Sequence, residues 1–380
     1  MCSSDPTEIS TPSSAPPAFP IPADVLAHVV DVHCHPTDSP ISQDVMSSLP
    51  IRICAMATRG SDQALVADLA RAHPSKVVPC FGYHPWFTHW IAVRPAESRE
   101  THYRALFLPE AAPKAQNIEA FERLLPFLPE PTPLADMLAE LESHLLEFPD
   151  AMLGEVGLDR ACRVPCAPPA PPPYVLHDTR RDLSPFTIPL EHQLAVLEAQ
   201  IDLAVRLRRN VSFHSVKSQQ ATVELLDRLK TRHGDAWCAI SIDMHSCGLS
   251  AQTWKDIERK HSNVFLSLST VINSRSPNHR DLIRECSPNR LMVESDYNDA
   301  AHLTSQTWDI IKVVAEAKGW PIEDHWEADL SEDQWGVVRR LENNFQLFQR
   351  GGHAPIRKKD RRKLLLEDWE SDDESGPRRA

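Results

Sequence analysis

Short β-rich apolar runs alternate with stretches of helical spacing along most of the chain. The runs are Val29–His35, Arg52–Thr58, Val77–His84, Ala151–Asp159, Asn210–Ser215, Cys238–His245, Asn263–Thr270 and Arg290–Asp296, eight in all. Several are close to continuously apolar, as expected of parallel strands covered on both faces. Between them Leu134, Met137, Leu138, Leu141, Leu145 and Phe148 form one stripe at i, i+3, i+4 and i+7 spacing, and Leu190, Leu194, Leu197, Ile201 and Val205 form another. Val223, Leu226 and Leu229 repeat the pattern, as do Ile310, Val313, Val314 and Ala317. Such stripes predict helices packed on a sheet. Eight strands alternating with helices predict an α/β fold, either a TIM-type (β/α)8 barrel with loop insertions or a large doubly wound sheet.

Two stretches break the alternation. Residues 87–132 carry Pro95, Pro109, Pro113, Pro126, Pro129 and Pro131 and read as a loop-plus-short-helix insertion. Residues 160–189 contain the run CAPPAPPP and read as a mobile loop. Both follow strand C-terminal ends, where barrel enzymes place their βα loops. Residues 1–23 are polar and Pro-rich and read as a disordered leader, leaving 24–350 as the globular body. Residues 351–380 read as a charged, disordered tail. Arg357, Lys358, Lys359, Arg361, Arg362 and Lys363 form a basic cluster there that could act as a nuclear localisation signal.

Composition removes several classes of function. The formal charge is 40 − 53 = −13, which argues against a broad basic face for nucleic acid. It does not exclude phosphodiester chemistry, because bound divalent cations can supply positive charge locally. Cys34, Cys54, Cys80 and Cys238 fall in apolar runs, where reduced cysteine behaves as a small buried hydrophobe. There is no apolar signal-peptide core and no run near the ~18 apolar residues of a membrane span. An intracellular, soluble protein of the cytoplasm or nucleus is expected.

The polar residues that interrupt the runs carry the chemistry. His33 and His35 close the first run, and residues two apart on a strand project to the same side. Glu155 lies in an apolar run and needs a partner, because an unpaired buried carboxylate is costly. His214, His245 and Asp296 close the fifth, sixth and eighth runs. Equivalent strand ends thus carry His, Glu, His, His and Asp, a donor set suited to Zn, Mn or Mg. Two divalent metal ions about 3.5–4 Å apart could share Glu155 and a hydroxide, with Asp296 orienting or deprotonating the attacking water. Cys162 and Cys166 offer a looser spacing in a Pro-rich loop, and Trp320, Trp326 and Trp335 could stack on bases, although burial is the default for tryptophan.

The blocks DVHCHPTD, VVPCFGYHPW, LGEVGLD, VSFHS, DMHSCG and LMVESD, in that order, resemble the TatD family of metal-dependent deoxyribonucleases within the amidohydrolase-like barrels. The stretch beginning at Leu341 also resembles that family's closing helix, so the likeness spans about residues 29–350. The resemblance implies a barrel that hydrolyses DNA, commonly as a 3′–5′ exonuclease on single-stranded or 3′ ends. It implies His33 and His35 on one metal, His214 and His245 on a second, Glu155 as bridge and Asp296 as catalytic aspartate. His84 matches a position at the pocket mouth that would contact substrate. The chain departs from the family where Val216 replaces an Arg, with Lys217 next as the replacement phosphate contact. It departs again where Trp86 replaces a His and Ser295 a Thr.

Two other functions compete. A catalytically weak barrel could serve as an interaction scaffold, binding protein partners through its insertions or tail. A related barrel could instead hydrolyse C–N or ester bonds, but those relatives often carry a lysine where this chain has Glu155.

Overall fold

The computed structural model describes residues 21–167, 170–174 and 182–356. Most of the expected leader, the basic cluster at 357–363 and parts of the 160–189 segment lie outside the described residues. Eight strands form one sheet in chain order: β1 (Val30–Cys34), β2 (Arg52–Met56), β3 (Val77–Phe81), β4 (Met152–Asp159), β5 (Val211–Val216), β6 (Ile242–Met244), β7 (Val264–Leu268) and β8 (Leu291–Val293). Every neighbouring pair is parallel. The ring is completed beyond the end of β8, where the Asp296 amide donates to the His33 carbonyl at 3.0 Å and the His35 amide donates to the Tyr297 carbonyl at 2.8 Å. The sheet is a barrel rather than an open, doubly wound array.

Among the described residues the helices of seven or more residues are α1 (Gly60–Ala72), α2 (Arg99–Phe107), α3 (Ala115–Leu124), α4 (Leu134–Glu147), α5 (Leu190–Leu207), α6 (Gln219–His233), α7 (Ala251–Glu258), α8 (His279–Glu285), α9 (Leu303–Lys318) and α10 (Val337–Arg350). The four predicted stripes fall on α4, α5, α6 and α9. Met137, Leu141 and Leu145 of α4 are fully buried, as their spacing requires. Alternate residues of the strands divide between two cores. Ile53 and Ala55 join the large cluster between sheet and helices, whereas Cys54, Met56, Val78, Cys80, Met152, Phe265 and Met292 form a second cluster with Phe345 and Phe348 of α10. The second cluster is the barrel interior.

α10 stops the bottom of the barrel. Ser241 Oγ and Asn210 Nδ2 donate to the Phe348 carbonyl at 2.6 and 2.9 Å, and Asn344 Nδ2 donates to the Leu291 carbonyl at 2.7 Å. These partners stand at the N-terminal ends of β5, β6 and β8, so only the opposite mouth is free for a site.

Strand limits are shorter than the apolar runs. Residues 234–239 form a 3-10 turn before β6, and His84 caps a second 3-10 turn at Pro85–Trp90 instead of ending β3. The two insertions pack together. Tyr103, Phe107, Phe121 and Leu124 of α2 and α3 share a small core with Val164, Phe186 and Ile188. Within 160–189, read from the sequence as a mobile loop, Arg163–Pro165 pairs antiparallel with Leu183–Thr187. Among the described residues no helix is long and apolar enough to cross a membrane.

β4 and β5 approach unusually closely at Gly157, where an added Cβ would lie 2.7 Å from the His214 Cβ and inside the envelope of its carbonyl. Gly157→Ala is therefore expected to cost about 1–3 kcal/mol, the range for overpacking. The measurement is urea unfolding, in which the midpoint should fall at constant slope. An unmoved midpoint would mean that the two strands can part freely.

Candidate metal centre

The six strand-end residues expected as ligands arrive at one place, the C-terminal mouth of the barrel. β1 sends His33 and His35 to the same side, and their Nε2 atoms stand 3.2 Å apart. Glu155 Oε2 lies 3.2 Å from His35 Nε2 and 3.5 Å from His33 Nε2. Asp296 Oδ1 completes this group at 3.5 and 3.8 Å from the same two nitrogens. The other oxygen of Glu155 faces a second group. Oε1 lies 2.6 Å from His214 Nδ1, 2.8 Å from His245 Nε2 and 3.1 Å from His84 Nε2.

These distances test whether a cation fits. Ligands held at about 2.0–2.1 Å around a tetrahedral ion stand roughly 3.3–3.4 Å from one another. The first group, at 3.2–3.8 Å, already has that spacing. The second is drawn in to 2.6–3.1 Å, hydrogen-bond spacing, and must open by about half an ångström to seat an ion. Every donor is nitrogen or oxygen, which suits Zn, Mn or Mg. Among the described residues no group with metal-like spacing includes a cysteine, so Cys162 and Cys166 form no rival site.

Charge asks for the same thing. Burial pushes Glu155 upward, but the His84, His245 and His214 rings outweigh it and hold its pKa well below the carboxylate range. Asp296 is likewise pushed up by burial and held down by His35, His245 and His33. Conversely, burial depresses His35, His214 and His245, yet the carboxylates beside them raise all three. Two buried anions are being compensated by protons on imidazoles, a role that cations would fill.

A layer of polar residues lies beneath the ligands, two positions earlier on the strands. Ser212 Oγ is 2.7 Å from His33 Nδ1 and fixes that ring. Asp31 Oδ1 accepts from the Ser295 amide at 2.9 Å, and burial raises its pKa to about 7. Glu294 Oε1 accepts from the Ser246 amide at 2.7 Å and from Ser246 Oγ at 2.6 Å, and lies 3.7 Å from His245 Nδ1. Ser267 Oγ touches both Glu294 and Asp243. One hydroxyl proton cannot serve two carboxylates. Burial and the Glu294 charge raise the Asp243 pKa far above normal, so Asp243 donates to Ser267 and Ser267 donates to Glu294. Sequence reasoning assigned no role to this layer, although the period of two that revealed His33 and His35 also aligns Asp31 with His33, Ser212 with His214, Asp243 with His245 and Glu294 with Asp296.

The residues expected to touch substrate sit differently. His84 is buried beside Glu155, not at the rim. Its Nδ1 accepts from the Trp86 amide at 3.1 Å, so Nε2 carries the proton and donates to Glu155 Oε1. Burial lowers its pKa to about 4 and keeps it neutral. Lys217 is exposed one residue past β5, outside the cluster, and among the described residues it has no hydrogen-bond or ion-pair partner. Asp159, also unassigned from sequence, is buried with Oδ2 at 3.6 Å from His214 Nε2 and 2.6 Å from the donating Trp86 Nε1. Burial pushes Asp159 up, but His214 and Trp86 bring it down to about 2. Lys217, Ser246 and Asp296 have φ of 50°, 42° and 49°, so three strand exits bend through the left-handed region at the site.

Comparison with known proteins bears on the family and the fold. The chain is 28% identical over 336 residues to the Cut9-interacting protein scn1 of Schizosaccharomyces pombe, covering 79% of this chain and 95% of that one. It is 27% identical over 341 residues to an uncharacterised deoxyribonuclease of Saccharomyces cerevisiae, covering 84% and 98%. Among solved structures, an uncharacterised amidohydrolase of S. cerevisiae superposes with a TM-score of 0.53 at 12% identity, covering 84% of this chain and 99% of that one. A TatD homologue of Escherichia coli superposes with a TM-score of 0.50 at 18% identity, covering 87% and 100%. These two likenesses speak for the barrel alone. Residues 30–330 match the family described as TatD related DNase, and the chain belongs to that family.

Proposed function

We propose that the protein is a metal-dependent phosphodiesterase that removes nucleotides from single-stranded or 3′ DNA ends. The observation that carries this reading is the division of Glu155, with Oε2 turned to His33 and His35 and Oε1 turned to His214 and His245. His33, His35 and Asp296 would hold one divalent ion, His214 and His245 a second, and Glu155 both. Bound there, such ions polarise a phosphodiester and a water molecule and offset charge developing on phosphorus oxygens.

The chain's own groups do the rest. Asp296 is held ionised by the imidazoles around it, so it can take a proton from the attacking water. His84 donates to Glu155 and keeps that carboxylate turned into the site. Ser212 orients the ring of His33 from behind, as outer-sphere partners do for ligating histidines, and Glu294 sets a carboxylate 3.7 Å behind His245 Nδ1. Lys217, exposed beside the mouth, is the proposed contact for a more distant phosphate. The basic cluster at 357–363 supports nuclear as well as cytoplasmic residence. A second reading, a barrel kept as a protein-interaction scaffold, is favoured by the name of the S. pombe relative. It predicts cation binding without turnover.

Two measurements test the enzymatic reading. With Mg or Mn, the full chain should shorten a labelled single-stranded oligonucleotide, and Asp296→Ala should slow cleavage by about 10²–10⁴-fold, the range for a lost general base. Equal cutting by that variant would remove the proposed mechanism. Metal uptake should also release protons, because His35, His214 and His245 hold theirs above the normal range and must surrender them to become ligands. Calorimetric titration in two buffers of different ionisation enthalpy reads that release, and apparent affinity should rise with pH. Uptake with no proton exchange and no pH dependence would contradict this assignment of ligands.

A further inference from the structure

Beside the metal centre the structure presents an aromatic face that the chemistry above leaves unused. Trp86 is 42% exposed although it directly follows the buried His84-Pro85 pair. Its ring cannot swing freely. The indole Nε1 donates to Asp159 Oδ2 at 2.6 Å, the backbone amide donates to His84 Nδ1, and the ring meets the His84 imidazole edge-on at 4.8 Å between centroids. Trp86 is therefore tied on both sides to groups that themselves touch the cluster, Asp159 toward His214 and His84 toward Glu155. The same residue lines a cleft with Trp90, Phe127, Leu128, Val164 and Pro165, built where the two insertions meet. Phe127, near the far end of the 87–132 insertion, is 52% exposed. Among the described residues only six large hydrophobics are exposed to this degree, and two of them line this cleft.

Resting on the reading that the metal centre holds a DNA phosphate, we propose that Trp86 is a stacking platform for the nucleobase of the terminal nucleotide. The Phe127 side of the cleft forms the adjoining wall. A π-face fixed by an Asp159 hydrogen bond loses little freedom when a base settles on it, and every base offers a complementary face. The chain's charge of −13 makes such a contact necessary. Little of a strand's affinity can come from diffuse electrostatic attraction, so holding an end requires contacts made within one nucleotide of the cations. Continuity with the ligand cluster through Asp159 and His84 selects a substrate base over a peptide as occupant.

The test uses products that contain no phosphodiester and so cannot be consumed. The full-length, manganese-loaded chain is titrated calorimetrically with deoxyadenosine monophosphate and with deoxyribose 5-phosphate, which shares the phosphate and sugar but has no base. The nucleotide should bind about 5- to 100-fold more tightly, the equivalent of ~1–3 kcal/mol for one stacked base. Trp86→Ala should erase most of that preference, and Trp86→Phe, which keeps a π-face but lacks the Asp159 contact, should retain most of it. Equal binding of the two compounds by the unaltered chain, or a preference untouched in Trp86→Ala, overturns the stacking role. Either result leaves the hydrolytic reading standing and the cleft free for a protein partner. If neither compound binds, the phosphate site itself fails and both proposals fall.

Discussion

One buried carboxylate organises this structure. Glu155 sits at the mouth of the barrel with five imidazoles and Asp296 arranged around it, and it is 4% exposed. An isolated ionised carboxylate at such a site would be expelled or protonated, because desolvation costs far more than any single neighbour returns. It persists as an anion because β1, β3, β5 and β6 each deliver an imidazole to it. The parallel barrel makes that delivery possible, since every strand ends at the same rim.

The rest of the fold reads as support for that rim. The seam that completes the ring lies between β1 and the segment after β8, and its two hydrogen bonds involve the backbones of His33, His35 and Asp296. Closing the barrel and assembling the first ligand group are therefore the same event. Below it, Ser267 links Asp243 to Glu294, which lies behind His245. Lower still, side chains are apolar until α10 stops the bottom with Phe345 and Phe348. The interior thus runs from dry to polar to charged along one axis. The charged end is the only one open to a ligand.

Much of this was legible in the chain because the barrel's chemistry is periodic. Polar residues at the ends of apolar runs can be read directly, which is why His33, His35, His214, His245 and Asp296 stood out, whereas Glu155 is a carboxylate inside its run and β4 continues past it to Asp159. Asp31, Asp243 and Glu294 lay inside the same runs, where their acidity looked like interruption instead of a layer. Only the neighbouring strands, supplying Ser295, Ser267 and Ser246, give them partners. The family resemblance puts His84 at the pocket mouth, and the apolar run that ends on it predicts strand. The 3-10 turn at Pro85–Trp90 instead tucks it against Glu155. Of the tryptophans considered for stacking from sequence, Trp326 is already occupied by His28 at 3.5 Å, whereas Trp86, noted only as a replaced histidine, carries the open face. Exposure depends on what packs nearby, and no local pattern encodes that.

The insertions explain how an acidic barrel could be selective. Their shared core, with Phe107, Phe121 and Phe186 in contact, makes a rigid wall beside the mouth. Arg59 ties the Pro-rich segment down from another side, donating to the Ala170 carbonyl and to the Tyr174 hydroxyl at 2.7 Å each, while the Tyr174 amide donates to the Asp38 carbonyl at 2.7 Å. On the proposed reading, a long duplex, rigid and densely charged, would be disfavoured by the net charge of −13. A single-stranded end is narrow and flexible, and its phosphates are few. Preference for such ends would then follow from shape and charge together, with bound cations supplying the local attraction.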